Sequence, residues 1–526
     1  MHAWCWKEYY FSWRVKITVF EAGGVDSLLR RFSAFVVVFG CFLPALVEGH
    51  GSTGHGSTEQ GDGGRSSPPN ILFILTDDQR FDATGYAGHP IVKTPNIDAI
   101  AHDGVRFSEA FVTTPICAAS RASILTGSYE RRHKFTFGTP PISAELCGES
   151  FPALLKAAGY KTGLVGKFGV SVAEGQAKNM FDLLSPIGYP FLKKMPNGEL
   201  RHIDQIATDR ALKFIEQCPQ NQPFCLSVWF NSPHAEDGEF DRLYPWPKTV
   251  DGWYEDASIP VPSLEQEKIF QNEPPFLQRA MNRIRWFWQF DTQEKYVKNV
   301  RSYYRMISGI DFEIGRLRAE LKARHLDENT VIVFMSDNGY FLGERGFSGK
   351  WVHYEQSLRV PMVIMDPRLP EERRGKSISN MALNIDIAPT VMELAGIKTP
   401  TGMQGKSLMP LVTARKPSGA NPAGTNLSWR KEFFCEHLLV DKDIPQWEGV
   451  RGERYVYARY FGQSPAYEFL HDLNSDPLEL KNLASNHSYK KVLDQMRQRN
   501  IQLKRENGGE YSIAKFPLLP KKNGQQ

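Results

Sequence analysis

The chain of 526 residues is long enough for one large domain with a smaller companion, or for two or three ordinary domains. With 63 Lys and Arg against 59 Asp and Glu, its formal charge of +4 excludes a nucleic-acid binder acting through a strongly basic face. Seven cysteines exclude a disulfide scaffold. Past the N-terminal region no apolar run approaches the ~20 residues of a membrane span.

Near the start, Arg30 and Arg31 precede the apolar run Phe32 to Val47, and a Gly/Ser/His/Thr-rich tract follows through Pro69. A basic flank, a short apolar core and small residues form a secretory signal pattern. It predicts export, periplasmic or secreted, with residues 1–48 a leader and 49–68 a polar linker. A membrane anchor is the alternative reading of the same run; no membrane contact is expected once a leader is removed. Export leaves Cys117, Cys147, Cys218, Cys225 and Cys435. Cys218 and Cys225 flank the turn-like PQNQPF, a spacing that suits a small disulfide loop. Their number is odd, and Cys117 is the candidate for another task.

The runs Ile71–Leu75, Phe224–Phe230, Val331–Met335 and Val360–Met365 read as buried strands. Helical spacing marks Pro152–Ala158 and Val297–Leu321. This alternation predicts an α/β sheet covered by helices on both faces. Two strands run into polar groups, Thr76-Asp77-Asp78 and Ser336-Asp337-Asn338-Gly339. Such sheets bind ligands beyond the carboxyl ends of their strands, so two ends bearing hard oxygen donors predict one metal site. The same residues also read as ordinary turn formers. The stretch 235–301, with Trp246, Trp253, Trp286 and Trp288, reads as an insertion over the sheet edge inside a catalytic domain spanning 69–409. Residues 410–526 read as a smaller α+β domain with an antiparallel sheet, Tyr455–Tyr460 its clearest strand, and a final helix from about Tyr489.

The sharpest local signal is Cys117-Ala118-Ala119-Ser120-Arg121, opening a helix that ends at Gly127. A helix N-terminus offers unpaired N–H donors and a favourable dipole to a reactive thiol or an anionic ester. Alone, it fits a buried structural cysteine equally well. In company with PNILFILTDDQR, TPNIDAIAHDGVRFSEAF, GYKTGLVGK, SDNGYFLGERGFSGKWVHYE, DIAPTVMELAG and FLHDLNSDPLELKNLA, the chain resembles the type I sulfatases of the alkaline phosphatase superfamily from Pro69 to Ala484.

The resemblance implies an alkaline-phosphatase-like sandwich with a large mixed sheet. It implies that a maturase oxidises Cys117 to formylglycine, whose hydrated aldehyde attacks sulfur. It further implies a divalent ion, Ca2+ or alternatively Mg2+, on Asp77, Asp78, Cys117, Asp337 and Asn338. Arg121, Lys167 and Lys350 would neutralise the sulfate oxygens, and His234 would protonate the leaving alcohol. The implied reaction is hydrolysis of a sulfate ester, with a sulfated carbohydrate favoured by export and the tryptophans. A phosphonate or phosphate ester hydrolase, or a non-catalytic sulfoglycan binder, is the alternative.

Two positions depart from the pattern. Ala119 stands where proline is commonest, a variant accepted by anaerobic radical maturases. Gly169 stands where the second signature has a histidine, with His133 the first candidate to replace it.

Overall fold

The computed structural model describes residues 68–138, 140–262, 267–413 and 429–510. The leader and linker expected before residue 68 lie outside them. No helix among the described residues is long and apolar enough to cross a membrane.

The main sheet is built from β1 (Asn70–Thr76), β2 (Val105–Phe107), β3 (Lys161–Gly166), β4 (Leu183–Pro186), β5 (Phe224–Trp229), β6 (Thr330–Ser336), β7 (Met362–Met365) and β8 (Lys376–Ile378). These eight strands run in the order β8-β2-β7-β6-β1-β5-β3-β4. From β6 to β4 all pairs are parallel, while β7 is antiparallel to both β6 and β2. The central strands are continuous apolar runs because both of their faces are covered.

Alternation along β1 shows this directly. Ile71, Phe73 and Leu75 enter one core, and Leu72 and Ile74 the other. The first core is covered by α2 (Cys117–Thr126) and α6 (Ile387–Leu394). The second is covered by α1 (Pro95–Asp103), α3 (Ile203–Glu216) and the 31-residue α5 (Gln293–Ala323). Between α3 and α5 lies α4 (Met281–Gln289).

A four-stranded antiparallel sheet follows, β9 (Glu432–His437), β10 (Trp447–Gly452), β11 (Tyr455–Tyr460) and β12 (Tyr467–Asp472), with α7 (Lys490–Glu506) against it. Phe433, Phe434, Trp447 and Leu470 of this sheet share a core with Ile71 and Phe73, so the two sheets are joined by continuous apolar packing.

The expected Cys218–Cys225 disulfide does not form; both are free thiols. Cys225 lies in β5 with its side chain in the first core, whereas Cys218 packs against the second. Strand alternation puts the sheet itself between the two sulfurs.

Helix α4 of the Trp-rich stretch packs against the segment that carries Lys350. Asn282 Nδ2 donates to the backbone oxygens of Ser348 (3.1 Å) and Lys350 (2.7 Å) there.

Candidate active site

Because β1 and β6 are parallel and in register, Thr76 facing Ser336, their two polar ends emerge side by side. Asp337 N donates to Thr76 O at 3.0 Å, and Asp78 N to the Asp337 carboxylate at 3.3 Å. Asp78 takes a left-handed conformation, φ 66°, which aspartate tolerates better than most residues. This turn is held by Tyr303 Oη, which donates to Asp78 O at 2.7 Å, and by Gln79 N, which donates to Ser336 Oγ at 2.9 Å.

The neighbouring strand β3 ends at Gly166, φ 96°, where a Cβ would fall 2.0 Å from Trp229 O. Only glycine fits that approach. The chain thereby delivers Lys167, whose amide donates to Trp229 O at 2.7 Å, to the same end of the sheet.

Cys117 occupies the first turn of α2. The residue before it, Ile116, has no capping side chain, and all ten residues of the helix are buried. Arg121, one turn on and fully buried, reaches across with Nε 2.7 Å from Asp337 Oδ2 and Nη2 3.2 Å from Asp77 Oδ2. Lys167 Nζ also binds Asp77 Oδ2, and Lys350 Nζ binds Asp78 Oδ1. Asn338 Nδ2 donates to Asp78 Oδ1 at 2.6 Å. His234 Nε2 stands 3.6 Å from Asp78 Oδ2. Its Nδ1 lies 2.6 Å from Ala235 O and 3.0 Å from Tyr189 Oη. The structure thus brings all nine residues singled out in the sequence into one cluster.

The electrostatics follow from burial and pairing. Burial raises the proton affinity of Asp77, but Lys167, His234, Arg121 and Lys350 outweigh it and hold the carboxyl below the usual range. Burial and the Asp77 charge push the Asp337 carboxyl up. Burial disfavours charge on Lys167 and Lys350, yet Asp77 and Asp78 respectively lift both ammonium groups above their ordinary value. Burial raises the Cys117 thiol and lowers His234.

Asp77 Oδ1, Asp78 Oδ2 and Asn338 Oδ1 are buried without a hydrogen-bond partner. Leaving such atoms unmatched costs about 1–3 kcal/mol each, more when charged. Three hard oxygens on adjoining strand ends fit Ca2+ or Mg2+. Asp77, Asp78 and His234 also offer ligand atoms within 4.8 Å of one another, the one such grouping of His, Cys, Asp or Glu among the described residues.

At Gly169, φ 66°, a Cβ would stand 3.2 Å from Arg121 Cδ, so the arginine fills the space a side chain there would need. His133 does not replace the missing histidine. Its Nε2 bonds Ser123 Oγ at 3.0 Å, Nδ1 accepts from Phe135 N at 3.1 Å, and burial brings its pKa down to about 3. It ties α2 to the following turn.

Several residues at the site carry no sequence signature. Tyr189 reaches His234 from a loop, and Asn282 of α4 clamps the Lys350 backbone. Trp351, beside Lys350, is held at φ 80°, unusual for a bulky residue. Its carbonyl accepts from Trp447 Nε1 at 2.7 Å, so the C-terminal sheet braces the Lys350 turn. Trp447→Phe leaves that buried carbonyl without its donor and is expected to lower stability by about 1–3 kcal/mol, read by urea denaturation.

Comparison with known proteins shows the family. Residues 69–397 match the Sulfatase family, and residues 343–506 match the C-terminal domain described as N-sulphoglucosamine sulphohydrolase, C-terminal. The chain is 27% identical to an N-acetylglucosamine-6-O-sulfatase of Bacteroides thetaiotaomicron, over 82% of this chain and 85% of that protein. It is also 27% identical to an arylsulfatase of Clostridium perfringens, over 82% and 93%. A protein solved in complex with its substrate D-glucosamine-2-N,6-O-disulfate superimposes with a TM-score of 0.69 at 24% identity, covering 84% of this chain and 98% of that one. A phosphonate monoester hydrolase from Silicibacter pomeroyi has the same fold, with a TM-score of 0.69 at 21% identity over 84% and 96%. With the fold, the paired strand ends and the Cys117 helix in place, the chain belongs to the sulfatase family, the sulfuric ester hydrolases of the alkaline phosphatase superfamily.

Proposed function

We propose that this protein is exported and hydrolyses sulfate esters of a carbohydrate, using residue 117 in its formylglycine form beside a calcium ion. The observation that carries the reading is the set of three unpartnered buried oxygens, on Asp77, Asp78 and Asn338, in one cluster with the Cys117 helix. Asp77, Asp78, Asp337, Asn338 and residue 117 would hold the ion, and Mg2+ is the alternative. When bound, the ion supplies positive charge that acidifies a hydroxyl of the hydrated residue 117 and polarises the sulfate.

The remaining work falls to the chain. Arg121, one turn along the nucleophile's own helix, fixes two of the acidic ligands. Lys167 and Lys350, fully cationic at neutral pH, neutralise sulfate oxygens as charge moves onto them. His234 holds Nδ1–H against the Ala235 carbonyl, and in its imidazolium form, with a proton also on Nε2, it gives that second proton to the departing alcohol oxygen and is left neutral. The free helix N–H groups after Ile116 add donors for the same anion.

A test is to assay protein bearing formylglycine against sulfated mono- and disaccharides, 4-nitrophenyl sulfate and a matched phosphonate monoester. The highest kcat/KM is expected for a sugar sulfate. Turnover confined to the aryl sulfate would remove the carbohydrate, and preference for the phosphonate would remove the sulfate ester. Chelation is expected to abolish activity and lower Tm, with calcium restoring both and Tm rising with calcium concentration as mass action requires. Unchanged Tm and rate after chelation, with metal loss verified by elemental analysis, would remove the ion.

A further inference from the structure

We propose that the ion pair Asp237–Arg285 is the subsite that recognises the leaving group, its carboxylate accepting a hydrogen bond from a hydroxyl of a sugar ring. The inference rests on the carbohydrate reading above and adds a specificity determinant to it.

The pair bridges the two loops that carry Lys350 and His234. Asp237 follows His234 by three residues, and its amide donates to Ala235 O at 3.1 Å, so the carboxylate is anchored to the loop that carries the imidazole. Arg285 and Asn282 are one turn apart on α4 and share a face. Asn282 holds the Lys350 carbonyl, while Arg285 meets Asp237 in a bidentate pair, Nη2–Oδ1 2.6 Å and Nη1–Oδ2 3.0 Å. Beneath the guanidinium lies the Trp351 ring, with its centroid 5.6 Å away. Trp351 in turn packs with Ile116 and Ala119 of the nucleophile's segment.

Exposure is unequal across the pair. The Arg285 side chain is 3% exposed and that of Asp237 is 19%. A guanidinium buried against an aromatic ring and an acid with one open side make a built carboxylate, not a surface ion pair. Burial raises the Asp237 proton affinity, and Arg285, then His234 and Lys350, bring the carboxyl below the ordinary range, so it is an acceptor at neutral pH.

Each carboxylate oxygen has two lone-pair directions, and the fork of Arg285 uses one on each. The two that remain point apart, so the open side of the carboxylate accepts from one ring hydroxyl, a donor that a flat aryl leaving group lacks. Tyr189, bonded to His234 and 48% exposed, stands on the same approach.

The test uses full-length, calcium-loaded protein with formylglycine verified by mass. Wild type, Asp237→Asn and the double variant D237N/R285Q are assayed on 4-nitrophenyl sulfate and on N-acetylglucosamine 6-sulfate, glucosamine 2-N-sulfate and galactose 4- and 6-sulfates. The double variant removes both charges together, so no buried guanidinium is left alone, and the aryl rate reports folding in the same samples. In both variants kcat/KM for the best sugar is expected to fall about 10- to 100-fold further than for the aryl sulfate, mainly through KM. Equal losses on sugar and aryl substrates would overturn the subsite while leaving the carbohydrate reading intact. Wild type that cleaves none of the sugars would overturn that reading, and the subsite with it.

Discussion

Cys117→Ala is expected to abolish sulfate release while leaving the fold in place. The loss should be on the order of 10^5- to 10^6-fold, the scale seen when an enzyme's covalent nucleophile is removed. Cys117 is 7% exposed in the first turn of α2, and its sulfur makes no hydrogen bond that braces the helix. Arg121, Ala122 and Leu125 anchor that helix instead, through the acidic ligands and the apolar core. Alanine therefore removes the reacting atom with little cost to packing. Rates on a sugar sulfate alongside the Tm of the same samples check both halves. A variant within tenfold of wild type would mean that another group attacks sulfur.

Asp77→Asn is expected to damage stability and catalysis together. The carboxylate is fully buried and meets Lys167 and Arg121 through one oxygen, while the other accepts no hydrogen bond and lies 3.9 Å from Lys350 Nζ. Removing its charge leaves two buried cations short of a partner, a change that typically costs about 3–5 kcal/mol. The linkage has a definite sign. A carboxyl held below its ordinary value of 3.8 contributes stability that is present above that pH and lost as pH falls through the folded-state value. Wild type should therefore lose this contribution on acidification below about pH 4, whereas the asparagine variant lacks it at every pH. Urea midpoints followed from pH 7 down to pH 2 would show the gap between the two proteins narrowing once the pH is below about 4. Parallel curves would mean that Asp77 carries no such role. The same variant should bind calcium far more weakly, because one of three anionic ligands is gone.

Much of this was legible in the amino-acid sequence, for a physical reason. Strands buried on both faces must be apolar throughout, so ILFIL and VIVFM stand out, and the abrupt change to Asp77-Asp78 and Asp337-Asn338 marks where each leaves the core. Observed β1 and β6 each extend those runs by one residue at either end. The motifs around Cys117, Lys167, His234 and Lys350 reach the cluster because each sits at a strand end or a helix start, where a short segment fixes direction.

What escaped the sequence depends on contacts between distant segments. Nothing in MNRIRWFWQ tells that Asn282 and Arg285 face the Lys350 and His234 loops, since the partners of a helix face are set by distant segments. The Trp447 bond to Trp351 joins residues 96 apart. The Cys218–Cys225 pairing failed because spacing along the chain does not reveal that one of the two lies inside a strand and faces away. His133 failed likewise: adjacency to the nucleophile's helix said nothing of which side of it the ring would pack on.

The central claim is that residue 117, as an aldehyde hydrate, shares one divalent cation with the ends of two strands. A crystal structure of the matured, calcium-loaded protein tests it most directly. The account predicts a single ion about 2.3–2.6 Å from oxygens of Asp77, Asp78, Asp337, Asn338 and residue 117. An ion bound elsewhere, or an intact thiol at 117 in protein that still hydrolyses sulfate esters, would contradict it.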